Sequence, residues 1–462
     1  MERAVSTGRA LTRRALAMPM RHGTTGLATA LALAGCAPGQ GGAPAGASAP
    51  KLRSGVTLLF THFSAVPAPF LDRVALFQKD TPGIQVNTVQ LAGGDAYRDK
   101  LVTMFAADQP PDVMHMSAAG GSGFTFGVLA PQGRFFEMGP LVKRDKYELD
   151  DFYKVALDFN SFGGKLYVMP NDLNVLAVYW NSTLFRENGV TPPTDQWSGG
   201  AFDHAAFLDA ARRLTRREGS TNDRYGVWVQ PDLMWVMPFL WSNGADVLSK
   251  DYKKITLDEP AALDTLQFLA DVAAKHQAAP TADELTAGGG GGNLFFGGRL
   301  AMHQAGTSFT AQLRAQAKSL AWDIGANPRG RAKRSSSAGG AGFAGAASSK
   351  NREEAWAMLK HLGGRASLEI AARGGQMPTR RSVCRSDAFL DPTQPPAHQR
   401  VFLDAAENAG PNPMISNWNE VEAAVRKQLG LLFSGQLAVR EAVAAAKREG
   451  EPLLAQGQAF SK

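Results

Sequence analysis

Beyond residue 50 the chain alternates between short β-strand patterns and amphipathic helix patterns, and this alternation constrains the fold more than any other feature. Residues 56–60 and 84–89 have the apolar, β-branched composition of strands. Between them, residues 70–79 show helical spacing that ends before Pro82. Residues 175–180 form a continuous apolar run typical of a buried strand. The order of these patterns predicts an α/β fold.

Helix-start signals recur further along the chain. Asp203 can cap a helix whose apolar face begins at Phe207, and Asn351 with Glu354 has the spacing of a capping box. The glycine run at residues 288–292 predicts a flexible loop. About 410 residues follow the first fifty, which exceeds the usual size of a single domain, so two lobes are expected.

The N-terminus has the pattern of an export signal. Residues 1–35 contain five arginines and one acid, and a short apolar run at 26–35 precedes Cys36. That run is about half of the roughly 20 residues that span a bilayer. Residues 33–36, Leu-Ala-Gly-Cys, resemble the bacterial lipobox, which implies a diacylglyceryl group on Cys36 and stable anchoring by two acyl chains. The alternative is an ordinary signal peptide, and both twin-arginine and general secretory export remain open.

Charge and cysteine content fit an exported protein. The formal net charge is +7, and removing residues 1–35 leaves +3, so most of the excess charge belongs to the signal. The basic cluster at 329–334 lies among Gly and Ser and is interpreted as a solvated loop, so no nucleic-acid partner is expected. With Cys36 lipidated, only Cys384 remains, which excludes a disulfide within one chain. Residues 36–54 are predicted to be a lipidated, flexible tether.

Motifs for catalysis are missing from the sequence. The glycine-rich segment 120–124 departs from the nucleophile-elbow pattern, and the eight histidines show no zinc-ligand spacing. No cofactor, metal site or catalytic residue is therefore expected. A glycosidase needs only two carboxylates that meet in space, so this class of enzyme remains a rival.

Several weak motifs occur in an order that is informative as a whole. They are residues 70–86, ending in Pro-Gly-Ile-Gln-Val; 164–170, Gly-Lys-Leu-Tyr-Val-Met-Pro; 175–185, Val-Leu-Ala-Val-Tyr-Trp-Asn-Ser-Thr-Leu-Phe; 296–302, Phe-Gly-Gly-Arg-Leu-Ala-Met; and 348–356, with Ser-Lys-Asn and Glu-Ala-Trp. In this order, over residues 55–455, the chain resembles the family 1 extracellular solute-binding proteins. These are the maltose-binding-protein-like receptors of ABC importers.

The resemblance implies a two-lobed periplasmic-binding-protein-like fold of type II with a ligand cleft between the lobes. It places the first lobe at 55–170 with a return at 339–393, the second lobe at 171–338, and C-terminal helices of the second lobe at 394–462. Function then consists of capture, hinge closure and delivery to a permease, without catalysis. We expect a monomer at the outer face of the cell membrane, held there by its lipid.

A sugar ligand makes specific demands on such a cleft. Aromatic rings stack on the apolar faces of a pyranose, while carboxylates, amides and hydroxyls bond its rim. The resemblance and the chain order together nominate ten residues: Thr61, Ser64, Ser117, Asp172, Asn174, Asp232, Trp235, Thr307, Ser308 and Trp418. Trp418 lies where maltose-binding relatives place a stacking tryptophan; the alternative is a buried anchor at a helix start. Trp235 is equally consistent with core packing, and Asp172 and Asn174 with Asx turns at the hinge.

Other residues are assigned structural roles. Trp197 is predicted to be structural, Trp180 and Trp241 to be core, His62 to be a loop residue and Arg380 to be a solvated arginine. Two rival functions stay open. A phosphorylated or other polar solute predicts basic residues in the cleft, and a glycan-active hydrolase predicts two carboxylates about 5–10 Å apart.

Overall fold

The computed structural model describes residues 50–63, 68–117, 125–218, 221–457 and 459. The predicted signal peptide, Cys36, the tether up to residue 49 and Ser64 lie outside these residues. The strands are β1 (Val56–His62), β2 (Ile84–Gln90), β3 (Val113–Ser117), β4 (Ser161–Phe162), β5 (Lys165–Leu166), β6 (Val168–Asn181), β7 (Arg216–Glu218), β8 (Thr221–Val227), β9 (Leu300–Gly306), β10 (Trp322–Gly325), β11 (Ser336–Gly345), β12 (Met377–Pro378) and β13 (Ala409–Pro411).

The helices between and after these strands are mostly short. They are α1 (Ala68–Asp80), α2 (Asp95–Ala106), α3 (Thr125–Leu129), α4 (Gly139–Asp145), α5 (Lys154–Phe159), α6 (Ser182–Glu187), α7 (His204–Leu214), α8 (Leu233–Ser242), α9 (Pro260–Ala270), α10 (Ala282–Ala287), α11 (Gly291–Phe296), α12 (Ser308–Gln316), α13 (Arg352–Leu362), α14 (Arg365–Arg373), α15 (Arg381–Cys384), α16 (Val401–Glu407), α17 (Trp418–Phe433) and α18 (Val439–Leu454). A π-helical turn, Asp271–Lys275, continues α9.

The strongest sequence patterns fold as predicted. β1, β2 and α1 cover the three expected segments, and the apolar run at 175–180 lies inside β6. Asp203 caps α7 by accepting a hydrogen bond from the Ala206 amide at 2.8 Å. Each element carries its own local signal, either an apolar period or a cap, so these predictions did not depend on distant contacts.

The strands form a mixed sheet that runs through both lobes. Its order is β2-β1-β3-β11-β6-β9-β8-β7. β1 pairs in parallel with β2 and β3, and β8 pairs in parallel with β9, whereas β6 and β11 are antiparallel to their neighbours on this path. The first lobe holds β2-β1-β3, the second holds β9-β8-β7, and β6 and β11 pass between them. The predicted two-lobed α/β fold is confirmed.

β6 changes its pairing partner halfway along its length. Residues 168–175 pair with β11, and residues 176–180 pair with β9. A bulge leaves Asn171 unpaired between Pro170 and Asp172. Close approach of the two crossing strands requires small residues in β11, since a Cβ on Gly340 would stand 2.2 Å from the Asp172 carbonyl. The predicted domain limits remain predictions.

Three apolar clusters form the core. One joins β1, α1 and α13 in the first lobe, and a second joins α7, α8, α9, α17 and α18 in the second lobe. The third lies along β6 and includes residues of both lobes. α17 and α18 therefore pack on the second lobe.

The predicted capping box at α13 is wrong. Asn351 occupies the N-cap position, but its side chain accepts no capping hydrogen bond. The buried Glu354 carboxylate instead accepts from the Arg53 amide at 2.9 Å and the Arg53 Nε at 3.0 Å, and these bonds lower the pKa of Glu354 to about 2. The predicted loop at 288–292 is wrong in part, because α11 begins at Gly291.

Two arginines that the sequence placed in solvent are buried. Arg334 donates to the carbonyls of Trp197 at 2.9 Å and Phe202 at 3.1 Å. Arg380 donates to the Gly363 carbonyl at 2.8 Å and pairs with Asp151. A guanidinium group carries five N–H donors, so several main-chain carbonyls can satisfy it away from water. Sequence alone does not show that such carbonyls converge.

Candidate ligand-binding cleft

A cavity of about 620 Å³ lies where the two lobes meet the crossing strands. Its lining consists of Asp95, Arg98 and Ser117 from the first lobe; Asn174, Gly339 and Gly340 from the crossing strands; and Asp232, Met234, Trp235, Asn412, Asn419, Glu420, Glu422, Ala423 and Arg426 from the side of the second lobe. The volume falls in the range of roughly 300–1,000 Å³ that is usual for small-ligand sites. Ser117, Asn174, Asp232 and Trp235 were predicted from sequence, and the fold brings these four together.

The first turn of α8 forms one wall of this cleft. Asp232 stands at the N-cap position, and Met234 and Trp235 follow it within the same turn. The indole N–H of Trp235 donates to the Gln304 carbonyl at 2.9 Å, which fixes the ring orientation. The half-buried ring thus has a fixed position at the cleft wall, as a stacking surface for an apolar ligand face requires.

The first two turns of α17 form the adjoining wall. Asn419, Glu422 and Arg426 follow one another at helical spacing and all line the cleft. Arg426 Nη1 donates to Asp232 Oδ1 at 3.0 Å and thereby joins the starts of α17 and α8. These α17 residues were not predicted from the sequence. The available signal was the polar stripe at 419, 422 and 426, which runs beside the buried stripe of Val421, Val425 and Leu429.

Glu422 has a perturbed titration. Burial raises its pKa to about 7, the nearby Asp232 carboxylate acts in the same direction, and Arg426 opposes it. Removing a carboxylate from water favours its neutral form, and a second negative charge adds to that effect. Glu422 can therefore change between hydrogen-bond donor and acceptor near neutral pH.

The first lobe contributes fewer groups to the cleft. Arg98 and Asp95 extend from the first turn of α2 and pair with each other at 2.8 Å. Ser117 is the last residue of β3 and is partly exposed. Together they present a hydroxyl and one ion pair opposite the aromatic and acidic wall of the second lobe.

Asn174 connects the crossing strand to the cleft. Its Oδ1 accepts a hydrogen bond from the Ser308 amide at 3.2 Å, and the side chain packs directly over Gly306. Ser308 is exposed at the start of α12 but does not line the cavity. Asn174 therefore lines the cleft, and its side-chain contact at the hinge is a bond to the distant Ser308 rather than a local Asx turn.

The prediction that Trp418 stacks on a ligand is wrong. Its side chain is 0% exposed and belongs to the apolar cluster of the second lobe, so neither ring face is available. Trp418 is the first residue of α17, where it anchors the helix whose next residue, Asn419, reaches the cleft. The sequence resemblance located the correct segment but not the residue that faces the cavity.

Two predicted hydroxyl ligands are also wrong, because both are buried. The Thr61 hydroxyl lies 3.0 Å from the Tyr97 hydroxyl inside the first lobe. The Thr307 hydroxyl donates to the Leu173 carbonyl at 2.7 Å. Each oxygen is used by the protein itself, as buried hydroxyls usually are. His62, predicted to lie in a loop, is buried at the end of β1 and stacks on Phe70.

Asp172 belongs to a polar network beneath the cleft rather than to its lining. It accepts from Asn171 Nδ2 at 2.8 Å, while Asn171 Oδ1 accepts from the buried Arg73 at 2.8 Å. Burial raises the pKa of Asp172 to about 6, although Asn171 and Arg73 oppose the shift. Arg73 also donates to Ser367 and to the Leu362 carbonyl. The network ties the bulge of β6 to α1, α13 and α14.

The remaining tryptophans of the sequence analysis lie elsewhere. Trp197 is buried, as predicted, whereas Trp180 and Trp241 are only partly buried and each lines a cavity outside the cleft. Among the described residues, no cluster of three or more histidines, cysteines or carboxylates has the arrangement of a metal site. In the same part of the chain, no helix is long and apolar enough to cross a membrane.

The fold has many counterparts among solved structures. The ABC substrate-binding protein Lmo0181 from Listeria monocytogenes, in complex with cycloalternan, has a TM-score of 0.74 and 19% identity, covering 87% of this chain and 99% of its own. The sugar-binding protein MalE from Xanthomonas citri has a TM-score of 0.73 and 20% identity, covering 87% and 98%. The GacH receptor of Streptomyces glaucescens, studied with acarbose, has a TM-score of 0.70 and 23% identity, covering 87% and 99%.

The sequence match extends the structural likeness. Residues 60–367 match the family described as bacterial extracellular solute-binding protein. This segment begins within β1, includes both crossing strands and most of the second lobe, and ends within α14. The matched segment covers well over half of the chain and contains both crossing strands. This chain therefore belongs to the bacterial extracellular solute-binding protein family.

Proposed function

We propose that the chain is the substrate-binding lipoprotein of an ABC importer and that it captures a sugar or oligosaccharide in the cleft. The observation that carries the proposal is the composition of the cleft wall. Trp235 offers an oriented ring, while Ser117, Asn174, Asn419 and the neighbouring carboxylates offer hydrogen-bonding groups from both sides. Such a combination suits a pyranose, which has apolar faces and a polar rim.

The solved relatives support this ligand class. The Listeria protein was solved with cycloalternan and the Streptomyces receptor with acarbose, and the Xanthomonas protein is described as sugar-binding. These ligands belong to those proteins.

A phosphorylated solute fits the cleft less well than a neutral one. Arg98 and Arg426 are the two arginines of the lining, and each is paired with a carboxylate, Asp95 or Asp232. A phosphate would need cations that are free to approach it. Carboxylates also outnumber arginines along the lining, so the cleft favours a ligand rich in hydroxyl donors.

A hydrolase remains testable, because Asp232 and Glu422 both line the cleft. A hydrolase would be rejected only if no pair of carboxylates lined the cleft. This pair lines it, so the hydrolase is not rejected on that ground. Family membership supports binding without bond cleavage. Prolonged incubation with each bound saccharide, followed by product analysis, should return the saccharide intact; a cleaved product would favour the hydrolase.

The proposed location of the protein rests on its N-terminal sequence. We infer that Cys36 is lipidated at the outer face of the cell membrane and that the tether lets a monomeric receptor reach the permease. Replacing Cys36 by Ala should release the protein into the medium. Retention of the Cys36→Ala variant on membranes would contradict the lipid assignment without affecting the ligand proposal.

A thermal-shift screen of the tether-truncated protein tests the ligand class. At about 100-fold over its dissociation constant, a true ligand adds roughly 2.7 kcal/mol to the free energy of unfolding. A mono- and oligosaccharide panel should give at least one such stabilisation. At the same ligand concentration Trp235→Ala should reduce it to about 0.4–1.4 kcal/mol, as a Kd raised about 10- to 100-fold requires, and Trp235→Phe should reduce it less. A panel without a response, followed by stabilisation from a phosphorylated or nitrogenous solute, would overturn the sugar proposal.

A further inference from the structure

A second cavity of about 620 Å³ lies between the end of α8 and the segment that joins α16 to α17. One wall is the second-lobe segment from Trp241 to Tyr252, and the other is the end of α16 with β13. Asn412 lines the main cleft, whereas its neighbours Pro411 and Pro413 line this cavity. The short segment 411–413 therefore separates two sites of similar volume.

One polar group in the lining has no partner. Ser335 is 1% exposed, and its hydroxyl oxygen makes no hydrogen bond within the protein. An unpaired buried hydroxyl costs about 1–3 kcal/mol, and native proteins satisfy most such groups. Ser335 lines the cavity, so a rotation of its side chain that turns the hydroxyl towards the cavity would let a bound ligand supply the missing partner.

Two aromatic side chains provide the apolar surface. Trp241 lies at the end of α8, where its ring packs over the Gly410 backbone and it hydrogen-bonds to the Asp246 carboxylate. Tyr252 is half-buried and has a φ of 56°, a left-handed conformation that is rare for a bulky residue. Strain of this kind concentrates at binding sites, where the surrounding structure maintains it.

The lining contains equal numbers of cations and anions. The cations are Lys250 and Lys333, and the anions are Asp246 and Glu407. Glu407 is further held by Arg381 at 2.6 Å, and the Arg381 amide donates to the Asp151 carbonyl of the first lobe. A lining with equal numbers of cations and anions favours a neutral ligand that can both donate and accept hydrogen bonds.

We propose that this cavity, bounded by Trp241, Tyr252 and Ser335, is a second binding site for a neutral saccharide ring. The aromatic rings contact the C–H faces of the sugar, and Ser335, Asp246 and Asn408 bond its hydroxyls. The site is independent of the main cleft and does not rest on the function proposed for that cleft.

¹⁹F NMR of the protein labelled with 5-fluorotryptophan tests this site directly. Resonances of Trp241 and Trp235 are assigned from the Trp241→Phe and Trp235→Phe variants. Methyl α-glucoside, methyl α-galactoside, xylose and maltose are titrated to about 100 mM, which saturates even a site with a Kd of about 10 mM. At least one probe should shift the Trp241 resonance saturably, and the shift should persist in Trp235→Ala.

A matched pair of serine variants sharpens the test. Ser335→Ala should weaken the Trp241 response about fivefold, as expected for one hydrogen bond, without lowering the melting temperature, since the hydroxyl has no partner in the free protein. Ser434→Ala, at the C-terminal end of α17 away from the cavity, should leave the response unchanged. The proposal is overturned if no probe shifts Trp241, if Ser335→Ala responds like the parent, or if the shift disappears in Trp235→Ala.

Discussion

The two lobes contribute unequally to the main cleft. The second lobe presents two helix starts, those of α8 and α17, with an oriented indole, an amide and several carboxylates. The described part of the first lobe presents Ser117 and the Asp95–Arg98 pair, while the hydroxyl at the end of β1, on Thr61, is occupied by Tyr97.

The difference has a physical cause in how each strand or helix ends. β1 ends against the buried Tyr97 and Phe70 rings, so its terminal side chains are used for packing. The first turns of α8 and α17 each bury an apolar residue in the second-lobe core, while a polar residue beside it lines the cleft. We infer that the second lobe supplies most of the ligand affinity and that the first lobe closes over a ligand already held.

The largest effect on stability should come from substituting Trp418. This residue of α17 packs in the core, whereas its neighbour Asn419 in the same helix lines the cleft. Trp418→Ala should lower the free energy of unfolding by about 3–5 kcal/mol, because it leaves a large cavity in the second-lobe core. Urea unfolding monitored by circular dichroism measures this change. Trp418→Phe should keep the ligand Kd near that of the parent. A variant with unchanged stability but no binding would place Trp418 in the cleft after all.

Trp235 should show the opposite behaviour. Trp235→Ala should raise the ligand Kd about 10- to 100-fold, since aromatic anchors contribute about 2 kcal/mol or more to binding. The melting temperature of the free protein should change less than in Trp418→Ala, because the ring is only half-buried. Isothermal titration calorimetry with the best saccharide provides the Kd. Equal losses of binding for Ser117→Ala and Trp235→Ala would refute the unequal roles of the lobes.

Glu422 makes the second lobe sensitive to pH. Its pKa rises from the ordinary 4.5 to about 7 on folding, so the folded protein retains a proton that the unfolded chain releases above pH 4.5. The contribution of Glu422 to the free energy of unfolding should therefore fall as pH rises from about 4.5 to about 7, by roughly 1–2 kcal/mol after allowance for solvent screening. Burial lowers the pKa of His115, His204 and His303, and these groups act in the opposite direction over the same pH range. The measurement is therefore urea unfolding of the parent and of Glu422→Gln at pH 5 and pH 8, compared at each pH.

A matched substitution isolates this titration from that of Asp172, whose pKa is also raised and which acts in the same direction. Glu422→Gln should remove the share of Glu422 alone, so the free energy of unfolding of the variant relative to the parent should be higher at pH 8 than at pH 5 by roughly 1–2 kcal/mol. A difference between variant and parent that is the same at both pH values would show that Glu422 keeps its ordinary pKa.

The smallest effect is expected at the first lobe. Ser117→Ala removes one partly exposed hydroxyl from the cleft and should raise the Kd only about two- to fivefold, as for a single neutral hydrogen bond. Ser161→Ala, elsewhere in the same lobe, is the control and should bind like the parent. A loss greater than that of Trp235→Ala would show that the first lobe, not the second, dominates recognition.

Sequence reasoning predicted the site best where a motif fixed the local backbone. Asp232 and Trp235 follow Gln230 and Pro231 at a helix start, and both reach the cleft. The prediction failed at Trp418, where the segment was correct but the side chain faces the core instead of the cleft. On an α-helix consecutive side chains point about 100° apart, so a displacement by one residue moves the predicted contact from cavity to core.

The α/β alternation, the family and part of the cleft could be predicted from the sequence alone, because strand and helix periods and ordered motifs are local properties of the chain. The signal and lipobox are likewise predictions of the sequence alone. The tertiary structure decided which side chains line the cleft, that Glu422 and Arg426 join it, and that Arg73, Arg334 and Arg380 are buried. These outcomes depend on partners distant in sequence, whose carbonyls and charges converge only after the lobes have folded.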